Sequence, residues 1–162
     1  MAARKQYELL SSGDLAPGFR LQRLEGGEAS LSDLLRTGPI LLVFYKVTCP
    51  VCQMALPYLQ RIHAASAMPI YAISQHDAAD TREFNEEFGI TIPTLLDSEE
   101  ANFPASNAYG ISHVPSTFLI GADGKILTAL ESWNRAEREA IASGVGVTLV
   151  QATDKVPAFR AG

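Results

Sequence analysis

Ile40-Leu41-Leu42-Val43-Phe44-Tyr45-Lys46-Val47-Thr48-Cys49-Pro50-Val51-Cys52 decides the reading of this 162-residue chain. Its first six residues are continuously apolar, the pattern of a central parallel strand buried on both faces. A short turn leads to Cys49-Pro50-Val51-Cys52, and Met54, Leu56, Leu59 and Ile62 follow at near-helical spacing. Pro50 suits the first position of a helix, where a missing N–H costs nothing. Pro57 falls inside the same helix and is expected to kink it. The stretch reads as a buried strand, a turn, and a helix opened by a cysteine pair.

That placement carries chemistry. Only the thiolate is a useful nucleophile, and a free cysteine with a pKa of ~8.5 is mostly protonated at neutral pH. At a helix start, unpaired backbone N–H groups and the positive end of the helix dipole favour the anion. Cys52 sits one turn further in, close enough to attack a mixed disulfide on Cys49, so Cys49 attacks and Cys52 resolves. The chain has two cysteines in all. A bridge between them closes a very small loop and adds little stability through chain entropy, which argues against a structural staple. A metal site is the other reading of the pair. Structural zinc takes four ligands; here His63, His76 and His113 are the histidines available, and no two of them have ligand spacing.

Outward from this centre the pattern alternates. On the N-terminal side, Phe19, Leu21 and Leu24 suggest a first strand, Gly26-Gly27 a turn that returns the chain, and Ser30-x-x-Asp33 the capped start of a short helix ended by Gly38-Pro39. On the C-terminal side, Met68–Ser74 reads as a strand and Ala78–Phe88 as a helix stopped by Gly89, with Asp77 as its N-cap. Ile92–Leu96 is a shorter extended piece, and Asn102–Tyr109 a short helix or loop. Pro115–Ile120, Gly121-Ala122-Asp123-Gly124 and Lys125–Ala129 form a β-hairpin, and Asn134-x-x-Glu137 opens a last helix to about Ser143. Residues 1–15 read as a polar lead-in and 145–162 as a strap or tail. The order is that of a single α/β domain with mixed strand directions.

Bulk composition agrees. Apolar residues make up 47% and charged residues 19%, as in a compact soluble domain. A formal net charge of −5 without a Lys/Arg stripe argues against nucleic acid or an anionic membrane as partner. No apolar region follows Arg4-Lys5, and no run approaches the ~18 apolar residues of a membrane span. The expectation is a cytoplasmic protein, or an exported one if a leader has been removed.

Ala16-Pro17-x-Phe19-x-Leu21, Cys49-Pro50-Val51-Cys52-x-x-x-x-Pro57 and Val114-Pro115-Ser116-Thr117-Phe118-Leu119-Ile120 resemble the thioredoxin-like TlpA/ResA and AhpC/TSA-type families over about residues 14–144. The resemblance implies a three-layer α/β/α sandwich with a central mixed sheet. It implies a cis Val114–Pro115 peptide facing the cysteines, with Pro115 keeping the substrate edge open and the Val114 backbone pairing with an incoming chain. Thr48, Pro50 and Val51, which flank the cysteines, complete the substrate-contacting set. The activity implied is exchange of disulfides with a protein or small-molecule substrate, recycled by an unidentified reductant, with no cofactor beyond the redox-active Cys49–Cys52 pair.

The chain departs from the resemblance in telling places. Thr48 stands where thioredoxins often carry Trp, Val43 where they place a buried Asp, and Ala55 where TlpA/ResA-like proteins carry Glu. Both carboxylates that could deprotonate Cys52 are missing, so the helix terminus is expected to do most of the thiolate activation, with Lys46 or His113 as local helpers. A surface-loop histidine is the plainer role for His113, and a helix-boundary residue the plainer role for His63. Trp133 and Phe103 read as core or rim aromatics. Two competing functions share the features: a peroxiredoxin-like peroxidase, against which Lys46 replaces the usual Thr, and a metal-carrying or docking module. Proline first in the Pro50-Val51 dipeptide, with no donor side chain at Val51, favours a reductase over a strong oxidant.

Overall fold

The structure is a computed structural model that describes residues 9–65 and 68–162. Its strands are β1 (Arg20–Arg23), β2 (Glu28–Ser30), β3 (Ile40–Tyr45), β4 (Ile70–Ser74), β5 (Thr94–Leu96), β6 (Ser116–Ile120), β7 (Ile126–Glu131), β8 (Trp133–Asn134) and β9 (Phe159–Arg160). Its helices are α1 (Leu31–Leu34), α2 (Pro50–Ala64), α3 (Ala78–Glu87), α4 (Pro104–Tyr109) and α5 (Arg135–Gly144). Seven strands form one sheet in the order β2-β1-β5-β4-β3-β6-β7, and β8 pairs with β9. All six residues of β3 are buried, as the apolar run predicts. Its pairing is mixed, however: parallel to β4 but antiparallel to β6, because β6 returns from the hairpin side.

Successive residues of a strand point to opposite faces, and the two aromatics at the end of β3 show what covers each. Tyr45 stacks against Phe84 of α3 with ring centres 5.1 Å apart. Phe44 packs on Tyr109 of α4 at 5.2 Å and on Phe118 of β6 at 5.8 Å. Helices α2 and α5 share the Tyr45 face: Tyr58 of α2 lies 5.4 Å from the Trp133 ring, which the guanidinium of Arg138 on α5 also covers. Three layers result, with the core between them.

Local signals set the boundaries. Ser30 and Asp33 close a reciprocal capping box on α1, Asp77 caps α3 and Asn134 caps α5, each accepting from the N–H three residues on. Gly26 and Gly27 turn the first hairpin with φ of +101° and +79°, values that only glycine adopts freely. Helix α4 begins at Pro104, two residues later than the expected element. Its orphan N–H groups at Ala105 and Ser106 donate to the buried Asp97 carboxylate at 3.0 and 2.7 Å.

Both ends of the described chain are tied to the core. Residues 1–8 of the expected lead-in lie outside the described residues. From residue 9 the segment is docked: Leu10 is buried, and the N–H groups of Gly13 and Ala16 donate to the carbonyls of Ile126 and Gly124 at 2.8 and 2.9 Å. Residues 145–162 form a strap. Leu149 and Val150 are buried, Arg61 on α2 binds Asp154 at 2.6 Å and the Leu149 carbonyl at 2.8 Å, and the Trp133 indole donates to Pro157 at 2.8 Å.

Candidate active site

The site is built where β3 ends. Cys49 is the N-cap residue of α2, in extended conformation, and Pro50 occupies the first turn. The Cys49 N–H donates to the Lys46 carbonyl at 3.3 Å, and the Gln53 side chain donates to the Val47 carbonyl at 3.1 Å, so both ends of the turn are tied to the helix it feeds. The Cys49 sulfur accepts from the Cys52 backbone N–H at 3.2 Å, taking the place of the usual cap oxygen. Cys49 is half-buried and Cys52 fully buried; both are free thiols here.

Electrostatics separate the two sulfurs. The Cys49 thiol is brought down to about 6, first by a hydrogen bond from the Cys52 thiol, against which burial works. Backbone N–H groups of Cys52 and Val51 and the charge of Lys46 lower it further. The Cys52 thiol is pushed far up, chiefly by burial, then by its donation to Cys49. A thiol brought down to about 6 is mostly thiolate at pH 7. The helix end therefore contributes, but the partner cysteine is the larger influence. Sequence reasoning assigned most of that to the helix end, with Lys46 or His113 as helpers; Lys46 does contribute.

The other candidates are placed as follows. The Val114–Pro115 peptide is cis, Pro115 is buried, and the Val114 carbonyl lies 3.5 Å from the Cys49 sulfur. Thr48 and Pro50 are exposed at the rim, whereas the Val51 side chain is buried in the core, leaving its N–H as its contribution. Lys46 is exposed beside the pair. His113 is exposed and its Nδ1 bonds the Glu131 carboxylate at 2.8 Å. His76 and Lys46 share with Thr48, Asp77 and Phe103 a groove of about 490 Å³ that opens beside the cysteines. Among the described residues, no group of three or more His, Cys, Asp or Glu is placed to hold a metal ion. The strap also reaches this rim: Gly162 donates to Ser132 Oγ at 2.9 Å, and a Cβ there would run into the Val114 backbone.

One residue escaped the sequence reading. Arg138 lies fully buried on α5, with Nη2 donating to Thr117 Oγ1 at 3.1 Å. The available signal was its helical register with buried Ala142, on a face where an apolar residue belongs.

A half-exposed thiolate capping a helix, with a buried thiol one turn behind it, on a mixed sheet covered by helices on both faces, defines a dithiol protein of thioredoxin-like fold. The chain belongs to the AhpC/TSA family, whose sequence model matches residues 12–129. It is 33% identical over 118 residues to the thiol-disulfide oxidoreductase ResA of Geobacillus thermodenitrificans, covering 70% of this chain and 66% of that relative. The chain thus spans about two thirds of the relative's length. The thioredoxin domain of a thiol-disulfide oxidoreductase from Bacteroides vulgatus superposes with a TM-score of 0.73 at 23% identity, covering 85% of this chain and 99% of that one. Peroxidoxin BcpB from Mycobacterium tuberculosis gives 0.64 at 24% identity, covering 75% and 85%. Both share the fold.

Proposed function

We propose that this protein is a thiol–disulfide oxidoreductase that reduces protein or small-molecule disulfides. The observation that carries the reading is the split pair: Cys49 half-exposed at the helix N-cap and accepting from the Cys52 N–H, with Cys52 fully buried one turn behind it. The same placement brings the Cys49 thiol down and pushes the Cys52 thiol up. The Cys49 thiolate attacks one sulfur of the substrate disulfide, forming a mixed disulfide and expelling the other sulfur as a thiolate. Cys52 then loses its proton and attacks Cys49; the Cys49–substrate bond breaks and the Cys49–Cys52 bond forms. Two electrons have passed to the substrate, which leaves as a dithiol after taking up two protons. An external thiol reductant restores the pair. The Val114 carbonyl edge and the exposed Thr48 and Pro50 frame the approach to Cys49.

The setting decides the direction. In the cytoplasm, the location proposed here, glutathione and thioredoxin systems keep the pair reduced and it works as a reductant. Nucleic acid and membrane are not proposed as partners; among the described residues no helix is long and apolar enough to cross a membrane. The peroxidase reading has support in the family match. Reduced protein offered equal concentrations of a model protein disulfide and hydrogen peroxide separates the two. Faster reaction with the disulfide, lost in Cys49→Ser and trapped as a mixed disulfide in Cys52→Ser, is the expected result. Much faster reaction with peroxide makes it a peroxidase, and reaction with neither overturns both.

A further inference from the structure

Arg138 is a buried cation with no ion pair among the described residues. It is 1% exposed, its guanidinium lies 5.3 Å from the Trp133 ring centre, and its one hydrogen bond among the described residues goes to the neutral Thr117 hydroxyl. Its Nε and Nη1 are buried with no hydrogen-bond partner. Leaving a guanidinium so poorly paired destabilises a fold, and an apolar residue of similar volume would serve packing better. Its position suggests what offsets this. Thr117 lies directly opposite Val43 of β3 and two residues beyond Pro115, whose neighbour Val114 touches Cys49. Directly opposed residues share a face of the sheet. That face is the one Tyr45 presents to α3 and Thr117 to α5, and α2 covers it with the buried residues Cys52, Ala55, Leu56 and Leu59. The titratable groups that act on Cys52 are Cys49 and Lys46 from the turn; Tyr45 and Arg138 in turn feel Cys52 from β3 and α5. The Coulomb field of a Cys52 thiolate reaches Arg138, whose own pKa is brought down to about 10 by burial and partly restored by Glu137 and Cys52.

We propose that Arg138 is a positioning residue for the resolving step, the buried positive charge that stabilises the thiolate developing on Cys52. The inference rests on the oxidoreductase reading. Val43 and Ala55, the small apolar residues flanking Cys52's surroundings, offer no base. Cys52 must nonetheless carry negative charge at the moment it attacks the Cys49–substrate disulfide, in a place where burial opposes that charge most. A cation fixed in low dielectric acts strongly over several ångströms. It lowers the barrier to forming the Cys49–Cys52 bond and releasing the substrate thiolate. It leaves the first attack, by the half-exposed Cys49, nearly untouched.

An aromatic disulfide, dithiobis(nitrobenzoate), resolves the two steps. Reduced protein releases one thionitrobenzoate when Cys49 attacks and a second when Cys52 displaces the one left bound to Cys49 in the mixed disulfide. Arg138→Met is expected to slow the second phase on the order of tenfold while the first stays within about twofold, and Arg138→Lys to keep most of the wild-type second phase. An unchanged second phase in Arg138→Met, or a Lys variant as slow as the Met variant, overturns the proposal. If Arg138→Met does not fold, Thr117→Val, which removes the bond aiming the guanidinium, must slow the second phase; no slowing there overturns it equally. Absence of the first phase in the wild type would instead sink the oxidoreductase reading.

Discussion

The Cys52 backbone N–H donates to the Cys49 sulfur across 3.2 Å, so the residue that later resolves the mixed disulfide first holds the nucleophile in place. The Cys52 thiol adds the largest single influence lowering Cys49, and its own burial keeps it neutral. Attack and resolution are thereby ordered by one geometric unit.

Alkylation of Cys49 by iodoacetamide should rise with pH around a midpoint of about 6, against ~8.5 for an ordinary thiol. Cys52→Ala removes the donated thiol hydrogen bond and is expected to move the midpoint upward. Cys52→Ser, which keeps a donor, should move it less. A midpoint near the ordinary value in the wild type would remove the activation argument.

Stability of the reduced form should depend on pH in two opposed ways. The folded pKa of Cys49 is depressed, so its contribution is fully present above ~8.5 and lost as pH falls through about 6. The folded pKa of Cys52 is raised, so its contribution is intact below ~8.5 and lost as pH rises beyond. Relative to the oxidised protein, which has neither thiol, the urea midpoint of the reduced form is expected to climb from pH 6 to a maximum near ~8.5 and then fall. A flat difference over the climbing part would contradict the Cys49 assignment.

Tyr45 anchors a buried polar chain: its hydroxyl donates to Asn85 at 2.8 Å, Asn85 donates to Thr94 at 3.1 Å, and Thr94 donates to the Ile92 carbonyl at 2.9 Å. Tyr45→Phe strands the Asn85 carbonyl oxygen and should destabilise by about 1–3 kcal/mol in urea unfolding. A loss under half of that would mean that the chain rearranges to satisfy Asn85.

The strap is latched by charge. Arg61 holds the Asp154 carboxyl down to about 2, with the Gln151 N–H as a second donor. A depressed carboxylate pKa places the latch's contribution above ~3.9 and loses it as pH falls through about 2. Arg61→Ala also frees the Leu149 carbonyl. Limited proteolysis should then cut within residues 145–162 of the variant at neutral pH, leaving the remainder folded. Equal resistance in variant and wild type would show that burial of Leu149 and Val150 suffices.

Features fixed by neighbouring residues were legible in the sequence. The apolar run of β3, the caps at Ser30, Asp77 and Asn134, the Gly26-Gly27 turn and the Cys49–Cys52 helix start all rest on contacts a few residues apart. Residues 145–162 read equally as a strap or a tail, because the anchors are single bonds between distant residues, Arg61 to Asp154 and Trp133 to Pro157, with no periodicity to read. The antiparallel side of β3 was equally hidden, since an apolar run looks the same beside either kind of neighbour. Arg138 was passed over because a charge in a helix is ordinarily solvated; only the packing of Trp133 and β6 around it makes it a buried one.

Trp133 joins the strap to the ground beneath the cysteines, and as the chain's one tryptophan it reports on both. Its indole N–H donates to the Pro157 carbonyl, while its ring contacts Tyr58 on α2 and the Arg138 guanidinium. Trp133→Phe keeps an aromatic ring but leaves the Pro157 carbonyl unpaired and a void beside Arg138. The expected loss is about 2–4 kcal/mol. The Arg135 amide, which donates to Ala158 of the strap at 2.9 Å, should lose hydrogen-exchange protection with it. In the wild type, oxidation of Cys49 and Cys52 should change tryptophan emission, because it abolishes the thiol that Arg138 feels. If Trp133→Phe lowers stability but leaves Arg135 protected, the strap is held by the Arg61 latch rather than by the indole.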